Sequence, residues 1–221
     1  MAFKGWPKEA VTFFEGLELD NSKDYWLAHK STYERAVRGP LETLLEELAA
    51  EFGEAKVFRP NRDIRFSADK SPYKTNIAAT IGDRGYVSFS ADGLGTGAGY
   101  YVMAPDQLDR YRKAVVADRT GKSLVGITDD LRSAGIELSA YDTLKTAPRG
   151  YDKDHPRIDL LRQKGLVAWR QWPVAGWTAT AKAKTRVVEV LRAAKPLIVW
   201  LDRNVGDTNY PRWVVGRGRF S

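Results

Sequence analysis

The stretch from Arg59 to Asn76, which reads RPNRDIRFSADKSPYKTN, combines several side-chain types that could do chemistry. Cationic, carboxylate, hydroxyl and phenol groups occur together there, and buried core does not have such a composition. Guanidinium forks and ammonium groups bind phosphate and carboxylate. We therefore predict a basic pocket for a small phosphorylated or carboxylated ligand. Its predicted ligand-binding residues are Arg62, Arg65, Ser67, Lys70, Ser71 and Lys74.

Three further groups in this stretch are candidates for acid–base work. Asp63 and Asp69 could orient the arginines, act as a base, or hold Mg²⁺ together with substrate oxygens, because Mg²⁺ takes few protein carboxylates. Tyr73 is the third candidate. No resident metal site is predicted, and Mg²⁺ enters only as a cofactor that phosphate chemistry could use. Since no nucleophile–base pair can be named, the sequence leaves open whether the protein is an enzyme.

The same charged residues could instead form an ion-pair network that joins helices to a sheet. The protein would then be a non-catalytic structural or partner-binding protein, and such networks often stabilise a fold only slightly. Residues 55–76 carry six cations and two carboxylates. This excess favours a ligand site, because charged groups that outnumber their partners usually await one. Both interpretations stay open on the sequence alone.

A net charge of +7 makes nucleic-acid binding a rival function. Trp169, Trp172 and Trp177 lie in the basic C-terminal third, where they could stack on bases. The chain has no helix-turn-helix, RNA-recognition or zinc-finger signature. Residues 1–54 carry six cations and eleven anions, and this acidic part would repel a duplex. Nucleic acid is therefore the less favoured partner.

The two histidines and a second basic block offer weaker candidates. His29 and His155 have no HxxH or HExxH spacing, so a packing or surface role is expected for each. Lys145, Arg149 and Tyr151 belong to a charged stretch with proline and glycine, which suits an ordered loop. We predict that these three residues form a second wall over the first site. A solvated turn is an equal alternative.

Apolar spacing predicts three helices in the first 54 residues. The first begins at Pro7, where proline is well tolerated. Asn21 is expected to cap the second helix. Gly39 and Pro40 are expected to separate it from the third, which ends at Gly53.

Alternating patterns predict a strand-rich region after these helices. The predicted strands are 56–58, 62–67, 77–81, 86–90 and 100–103. In the second of them, alternation would direct Asp63, Arg65 and Ser67 to one face. The glycine run from Gly93 to Gly99 is followed by a strand rather than a helix. It therefore predicts a flexible hairpin instead of a phosphate-binding loop.

Together these elements predict one α+β domain over residues 1–221. An N-terminal three-helix layer (1–54) would pack on a largely antiparallel β-sheet (55–104), with further helices and short strands in 105–221. The chain has no cysteine, no secretory signal pattern and no apolar stretch of membrane-spanning length. We expect a cytoplasmic protein without membrane contact. The oligomeric state does not follow from the sequence.

A signature of specific residues runs through most of the chain. Its core is the run from Arg62 to Lys74. Its other members are Phe13, Phe14, Asn21, Trp26, Tyr33, Glu34, Pro40, Tyr100, Tyr101, Leu144, Lys145, Pro148, Gly150 and Tyr151. With these residues the chain resembles a family of uncharacterised proteins catalogued as domain of unknown function 2461. That family usually has Asn where Ser22 stands, so Ser22 is not expected to carry essential chemistry. The resemblance implies no established activity.

Overall fold

Helices and strands combine in an α+β arrangement, which confirms the predicted fold class. The computed structural model describes residues 2–65 and 69–211. The helices are α1 (Lys8–Leu19), α2 (Lys23–Thr32), α3 (Gly39–Phe52), α4 (Pro105–Val116), α5 (Asp118–Ser133), α6 (Ile158–Leu161), α7 (Lys182–Ala193) and α8 (Lys195–Asn204). The strands are β1 (Ala55–Val57), β2 (Asn76–Ile81), β3 (Gly85–Ser90), β4 (Gly93–Tyr100), β5 (Glu137–Ser139) and β6 (Leu166–Trp172). Among the described residues, no helix is long and apolar enough to cross a membrane.

The described strands form a sheet in the order β1-β2-β3-β4-β6-β5. The β1–β2, β2–β3 and β5–β6 pairs are antiparallel, in agreement with the predicted sheet type. Two compact units are distinguished along the chain: the first comprises residues 2–96 and 171–189, and the second comprises 97–170 and the described residues from 190 onward. The single domain remains a prediction.

The first two helices follow their apolar spacing, but their junction differs from the prediction. The buried face of α1 consists of Ala10, Phe13, Phe14 and Leu17. At the start of α2, the hydroxyl of Ser22 accepts the backbone N–H of Tyr25 at 3.1 Å and so caps the helix. Asn21 was the predicted cap, and that prediction is wrong. Its carboxamide is bound to the backbone of Tyr73 instead.

Gly39 and Pro40 do not interrupt the helical path, contrary to the prediction. A π-helical turn over Tyr33–Arg38 joins α2 directly to α3, and the N–H of Gly39 donates to the carbonyl of Glu34. In a regular α-helix a proline ring clashes with the carbonyl four residues earlier. The wider turn lets the chain continue past Pro40. Beyond it, α3 buries Leu41, Leu44, Leu45 and Leu48, and it ends at Gly53 as predicted.

The N-terminal segment fastens the first helices to the sheet within the first unit. The indole of Trp6 stacks on Phe89 of β3 at 4.6 Å, and its N–H donates to the carbonyl of Val37 at 3.2 Å. Glu47 of α3 accepts the backbone N–H of Phe3 at 2.7 Å and pairs with Lys184 of α7 at 2.6 Å. These contacts hold helices and sheet as the layered core that the sequence predicts.

The glycine run from Gly93 to Gly99 forms β4, so the predicted flexible hairpin is wrong. β4 lies between β3 and β6 in the sheet. A Cβ atom at Gly93 would lie 2.0 Å from the carbonyl oxygen of Trp172, and one at Gly97 would lie 2.2 Å from that of Ala168. The glycines are therefore required by the close approach of the β6 backbone. Composition alone gives no sign of such an approach.

The second unit contains two elements that the sequence analysis did not locate. α5 begins at Asp118. Gly121 in its first turns leaves room for Arg157, whose Cζ would lie 2.8 Å from an added Cβ and whose guanidinium binds the carbonyl of Val116 at 2.8 Å. Strand β5 was not predicted from the sequence. It has three residues, too few to show a clear alternation.

The packing of β4 on β6 predicts opposite effects for two glycine substitutions. Gly97→Ala would force a methyl group against the carbonyl of Ala168 and is expected to lower the free energy of unfolding by about 3 kcal/mol. The control Gly126→Ala lies in α5 with no heavy atom within 4 Å of the added Cβ. It is expected to raise the free energy of unfolding by about 0.5–1 kcal/mol. Chemical denaturation measures both. Equal changes in the free energy of unfolding for the two variants would contradict the claim that Gly97 is required by the close approach of β6.

Candidate functional site

Residues 60–74, here called the motif loop, close on themselves through backbone pairing. The N–H of Arg62 donates to the carbonyl of Pro72 at 2.8 Å, and the N–H of Lys74 donates to that of Pro60 at 2.8 Å. These two bonds join the ends of the loop. The described site residues Arg62, Arg65, Lys70 and Ser71 therefore lie on a loop rather than along a strand.

The strand predicted at 62–67 is wrong for those of its residues that the structure describes. The carboxylates of Asp63 and Asp69 each accept a backbone N–H two residues further on, from Arg65 at 3.3 Å and from Ser71 at 2.9 Å. Bonds of this kind turn the chain and compete with the hydrogen bonds of a strand. The alternation predicted for these side chains is thus replaced by two local turns.

Asp69 binds two of the predicted ligand-binding residues internally. Its carboxylate forms an ion pair with the guanidinium of Arg62 and accepts hydrogen bonds from Ser71. The hydrogen bonds from Ser71, followed by the bond from Arg62, hold the pKa of Asp69 well below its ordinary value of 3.8. The carboxylate is therefore charged at neutral pH. As a general base it would be weak, because its conjugate acid is strong.

Arg65 and Lys70 also have partners inside the motif loop. The guanidinium of Arg65 donates to both oxygens of Asp63, at 3.0 and 2.9 Å, and the ammonium of Lys70 donates to the carbonyl of Ile64 at 3.0 Å. The Arg65 side chain is 77% exposed, so its ion pair adds little stability. For these residues the geometry fits the ion-pair alternative. Ser67 lies outside the described residues.

Lys74 and Arg59, here called the cation pair, differ from the other cations of this stretch. The ammonium of Lys74 is half-buried and lies 5.2 Å from the centre of the Phe58 ring. Burial, followed by the charge of Arg59, lowers the pKa of Lys74. Within residues 2–65 and 69–211, neither member of the pair is ion-paired with a carboxylate. The pair thus carries positive charge that no carboxylate of the described part of the chain neutralises through an ion pair.

Asn21 fixes the position of the motif loop. Its side-chain N–H donates to the carbonyl of Tyr73 at 3.1 Å, and its side-chain oxygen accepts the N–H of Tyr73 at 2.9 Å. The carboxamide thus pairs with the Tyr73 backbone as a neighbouring strand would. Local sequence rules did not reveal this contact. In the sequence, the one sign that Asn21 and the motif loop are related is that both belong to the family signature.

The ring of Tyr73 is an anchor in an aromatic cluster. It stacks on Trp26 of α2 at 4.4 Å with an interplanar angle of 8°, and it is only 8% exposed. Trp26 in turn contacts Tyr33 at 4.8 Å, and Phe13 lies against both. Burial, followed by Glu34, raises the pKa of Tyr33 to about 12. Tyr73 as an acid–base group remains a prediction, whereas its packing is part of the described structure.

Both histidines have local packing partners. Nδ1 of His29 lies 2.8 Å from the carbonyl of Tyr25, and its ring stacks on the Tyr25 ring at 4.0 Å. Nδ1 of His155 accepts the backbone N–H of Arg157 at 3.0 Å. Among the described residues, no three His, Asp or Glu side chains lie close enough together to hold a metal ion. Mg²⁺ as a cofactor of phosphate chemistry remains a prediction.

The remaining candidates lie in the second unit. Lys145, Arg149 and Tyr151 belong to the stretch 144–156, which has neither helix nor strand, as predicted. Their role as a second wall remains a prediction. A cavity of about 390 Å³ also lies in this unit, and its charged lining is Arg132, Glu137 and Asp159. With two carboxylates and one cation, that cavity suits an anion poorly.

Removal of the Asn21 side chain is expected to loosen the motif loop. Asn21→Ala leaves the backbone of Tyr73 without two hydrogen bonds and should lower the free energy of unfolding by about 2 kcal/mol. Limited trypsin digestion should then cut faster after Arg62 and Arg65. The control Ser22→Ala removes only the α2 cap, for about 1 kcal/mol. Faster cleavage in the control as well would contradict a specific role for Asn21.

The low pKa of Asp69 predicts a pH-dependent contribution to stability. A carboxylate with a depressed folded-state pKa stabilises the fold above its unfolded-state pKa, and this stabilisation is lost as pH falls through the folded-state pKa. Asp69→Asn should therefore lower the melting temperature most above pH 3.8 and progressively less below it. The control Asp83→Asn changes an exposed turn residue. If the melting temperature of Asp69→Asn stays below that of the wild type by the same amount in strong acid, the stabilisation does not come from the charged carboxylate of Asp69.

Comparison with known proteins identifies the same family as the resemblance. A family model described as conserved hypothetical protein (DUF2461) matches residues 9–200, a range that includes Asn21, Trp26 and the motif loop. No curated protein and no solved structure matches the chain. The family description names no activity, so it adds none to the site. The match covers most of the chain and confirms the resemblance: the protein belongs to the conserved hypothetical protein family DUF2461.

Proposed function

We propose that this protein binds a small anionic ligand, phosphorylated or carboxylated, at the cation pair Arg59 and Lys74. One observation carries the proposal: Lys74 is half-buried beside a second cation and has no carboxylate partner among the described residues. Burying an unpaired charge is unfavourable, and a neighbouring like charge makes it more so. A bound anion would remove both penalties.

The chemistry of the pair suits such a ligand. Arg59 offers a planar fork that can bind two oxygens, and Lys74 offers a compact ammonium that can approach a third. Arg62, Arg65 and Lys70 are already bonded within the motif loop. They would act mainly through the positive field that attracts the ligand. The proposed site is therefore narrower than the whole set of cations in the sequence motif.

The aromatic residues give the nucleic-acid alternative little support. Trp172 is only 9% exposed and packs edge-on against Trp177 at 5.8 Å. The guanidinium of Arg186 lies 4.3 Å from the centre of the Trp177 ring. Contacts of bases with these two rings would therefore have to replace existing packing. The small-anion proposal needs no such rearrangement.

Lys74→Met tests the proposal, because Met keeps an apolar chain over Phe58 and removes the charge. In the wild type, inorganic phosphate at about ten times its dissociation constant should stabilise the fold by about 1.4 kcal/mol. For a chain of this size the melting temperature should rise by about 3–5 °C. Lys74→Met should abolish this rise and, without phosphate, melt no lower than the wild type.

The control is Lys56→Met, which removes an exposed lysine from β1 and should keep the phosphate effect. Chloride is used to hold the ionic strength constant, because screening alone changes the stability of charged surfaces. A wild type that does not respond to phosphate, citrate or pyruvate would refute the proposal. So would a Lys74→Met variant that responds as the wild type does.

A further inference from the structure

The cavity of about 390 Å³ in the second unit has a lining that the proposed anion site does not involve. Its size falls within the range of cavities that bind small molecules, roughly 300–1,000 Å³. Leu138, Leu160 and Leu166 form its apolar lining, and charged side chains of both signs complete it. An apolar surface together with a few charged groups is the usual composition of a small-molecule site.

A tight turn brings opposite charges to this cavity. Arg132 lies in the last turn of α5, and Glu137 begins β5. Between them, Gly135 has a φ of 69°, which glycine adopts without strain, and the N–H of Ile136 donates to the carbonyl of Leu131 at 2.9 Å. The chain thus reverses within a few residues, so that a guanidinium and a carboxylate line the same space.

The apolar lining is held in place by contacts within the protein. Leu160 and Leu166 are buried. The carbonyl of Leu160 accepts the hydroxyl of Tyr111 at 2.9 Å, and Leu138 of β5 pairs with Ala168 of β6. Because these contacts exist without a ligand, the apolar lining is preformed, and binding loses little free energy in ordering it.

The charged groups of the lining retain the capacity to bind a ligand. Nη1 of Arg132 donates to Asp129 at 2.9 Å, which uses one of the five N–H groups of the guanidinium. Glu137 has no ion pair in the part of the chain that the structure describes. Asp159 lies 3.9 Å from Arg162 and is 89% exposed, so that pair is weak. The cavity therefore offers donors to an anionic group and carboxylate oxygens to a cationic group.

We propose that this cavity binds a zwitterionic α-amino acid with an aliphatic side chain, such as leucine. Arg132 binds its carboxylate, Glu137 binds its ammonium group, and the three leucines contact its side chain. A simple anion would meet two carboxylates, and a simple cation would leave the donors of Arg132 unused. A ligand with both charges matches the whole lining. The inference is independent of the proposed anion site.

The test measures binding of L-leucine to the full-length wild type by ligand-observed NMR, with three analogues that each lack one group. Leucinamide lacks the carboxylate, N-acetylleucine lacks the ammonium group, and glycine lacks the aliphatic side chain. Each should bind roughly fivefold more weakly than leucine, or weaker still, because one exposed ion pair or the apolar contact is lost. No leucine signal at about 10 mM would overturn the inference, since specific binding would then be weaker than millimolar.

Two pairs of variants locate the site. Glu137→Gln and Arg132→Gln should each weaken leucine binding roughly fivefold. Their controls Asp130→Asn and Arg119→Gln change exposed charges of α5 that do not line the cavity, and they should bind leucine as the wild type does. Wild-type affinity in both cavity variants would overturn the assignment. Circular dichroism of each variant, measured before titration, shows that lost binding does not come from a lost fold.

Two further results separate this inference from its alternatives. Leucinamide that binds as tightly as leucine would overturn the role of Arg132, because the cavity would then recognise an amine alone. Lys74→Met should bind leucine as the wild type does, since Lys74 is not part of the cavity lining. Loss of leucine binding in Lys74→Met would overturn the location proposed here. A missing phosphate effect with intact leucine binding would refute the anion site and leave the amino-acid site standing.

Discussion

The pairing of the Asn21 carboxamide with the backbone of Tyr73 is the contact on which the candidate site depends. It joins the start of α2 to the motif loop, which lies far away in the sequence. The stack of Tyr73 on Trp26 adds apolar contact at the same place. These two contacts join the described part of the motif loop to the first helices, while the β1–β2 pairing and the bond from Phe58 N–H to the carbonyl of Ala78 hold its base on the sheet.

Charge pairing inside the loop separates two groups of cations that look alike in the sequence. Arg62 and Arg65 are bonded to Asp69 and Asp63. The ammonium of Lys74 instead lies 5.2 Å from the centre of the Phe58 ring, and the charge of Arg59 contributes to its lowered pKa. The ion-pair and ligand interpretations therefore do not exclude each other. The ion-pair interpretation describes the loop tip. The ligand interpretation is proposed for the base of the loop, where Lys74 retains a positive charge that stability alone would not favour.

The family signature acquires a structural meaning in the first unit. Phe13, Asn21, Trp26, Tyr33 and Tyr73 are scattered along the sequence, yet they form one connected set of contacts. Four of them are buried aromatic rings, and the fifth is the amide that holds the loop. Most signature residues of the first unit that lie outside the motif loop can thus be understood as residues that support the loop.

The sequence by itself determined the features that arise from local patterns. Apolar spacing located α1 and α3, and alternation located β2, because buried faces repeat with the period of the element. Composition also identified the motif. Only the tertiary structure decided the rest. Gly97 is required by a neighbouring strand, and Asn21 serves a distant backbone rather than its own helix. Which cations remain unpaired depends on distances between side chains, and no single stretch of sequence contains that information.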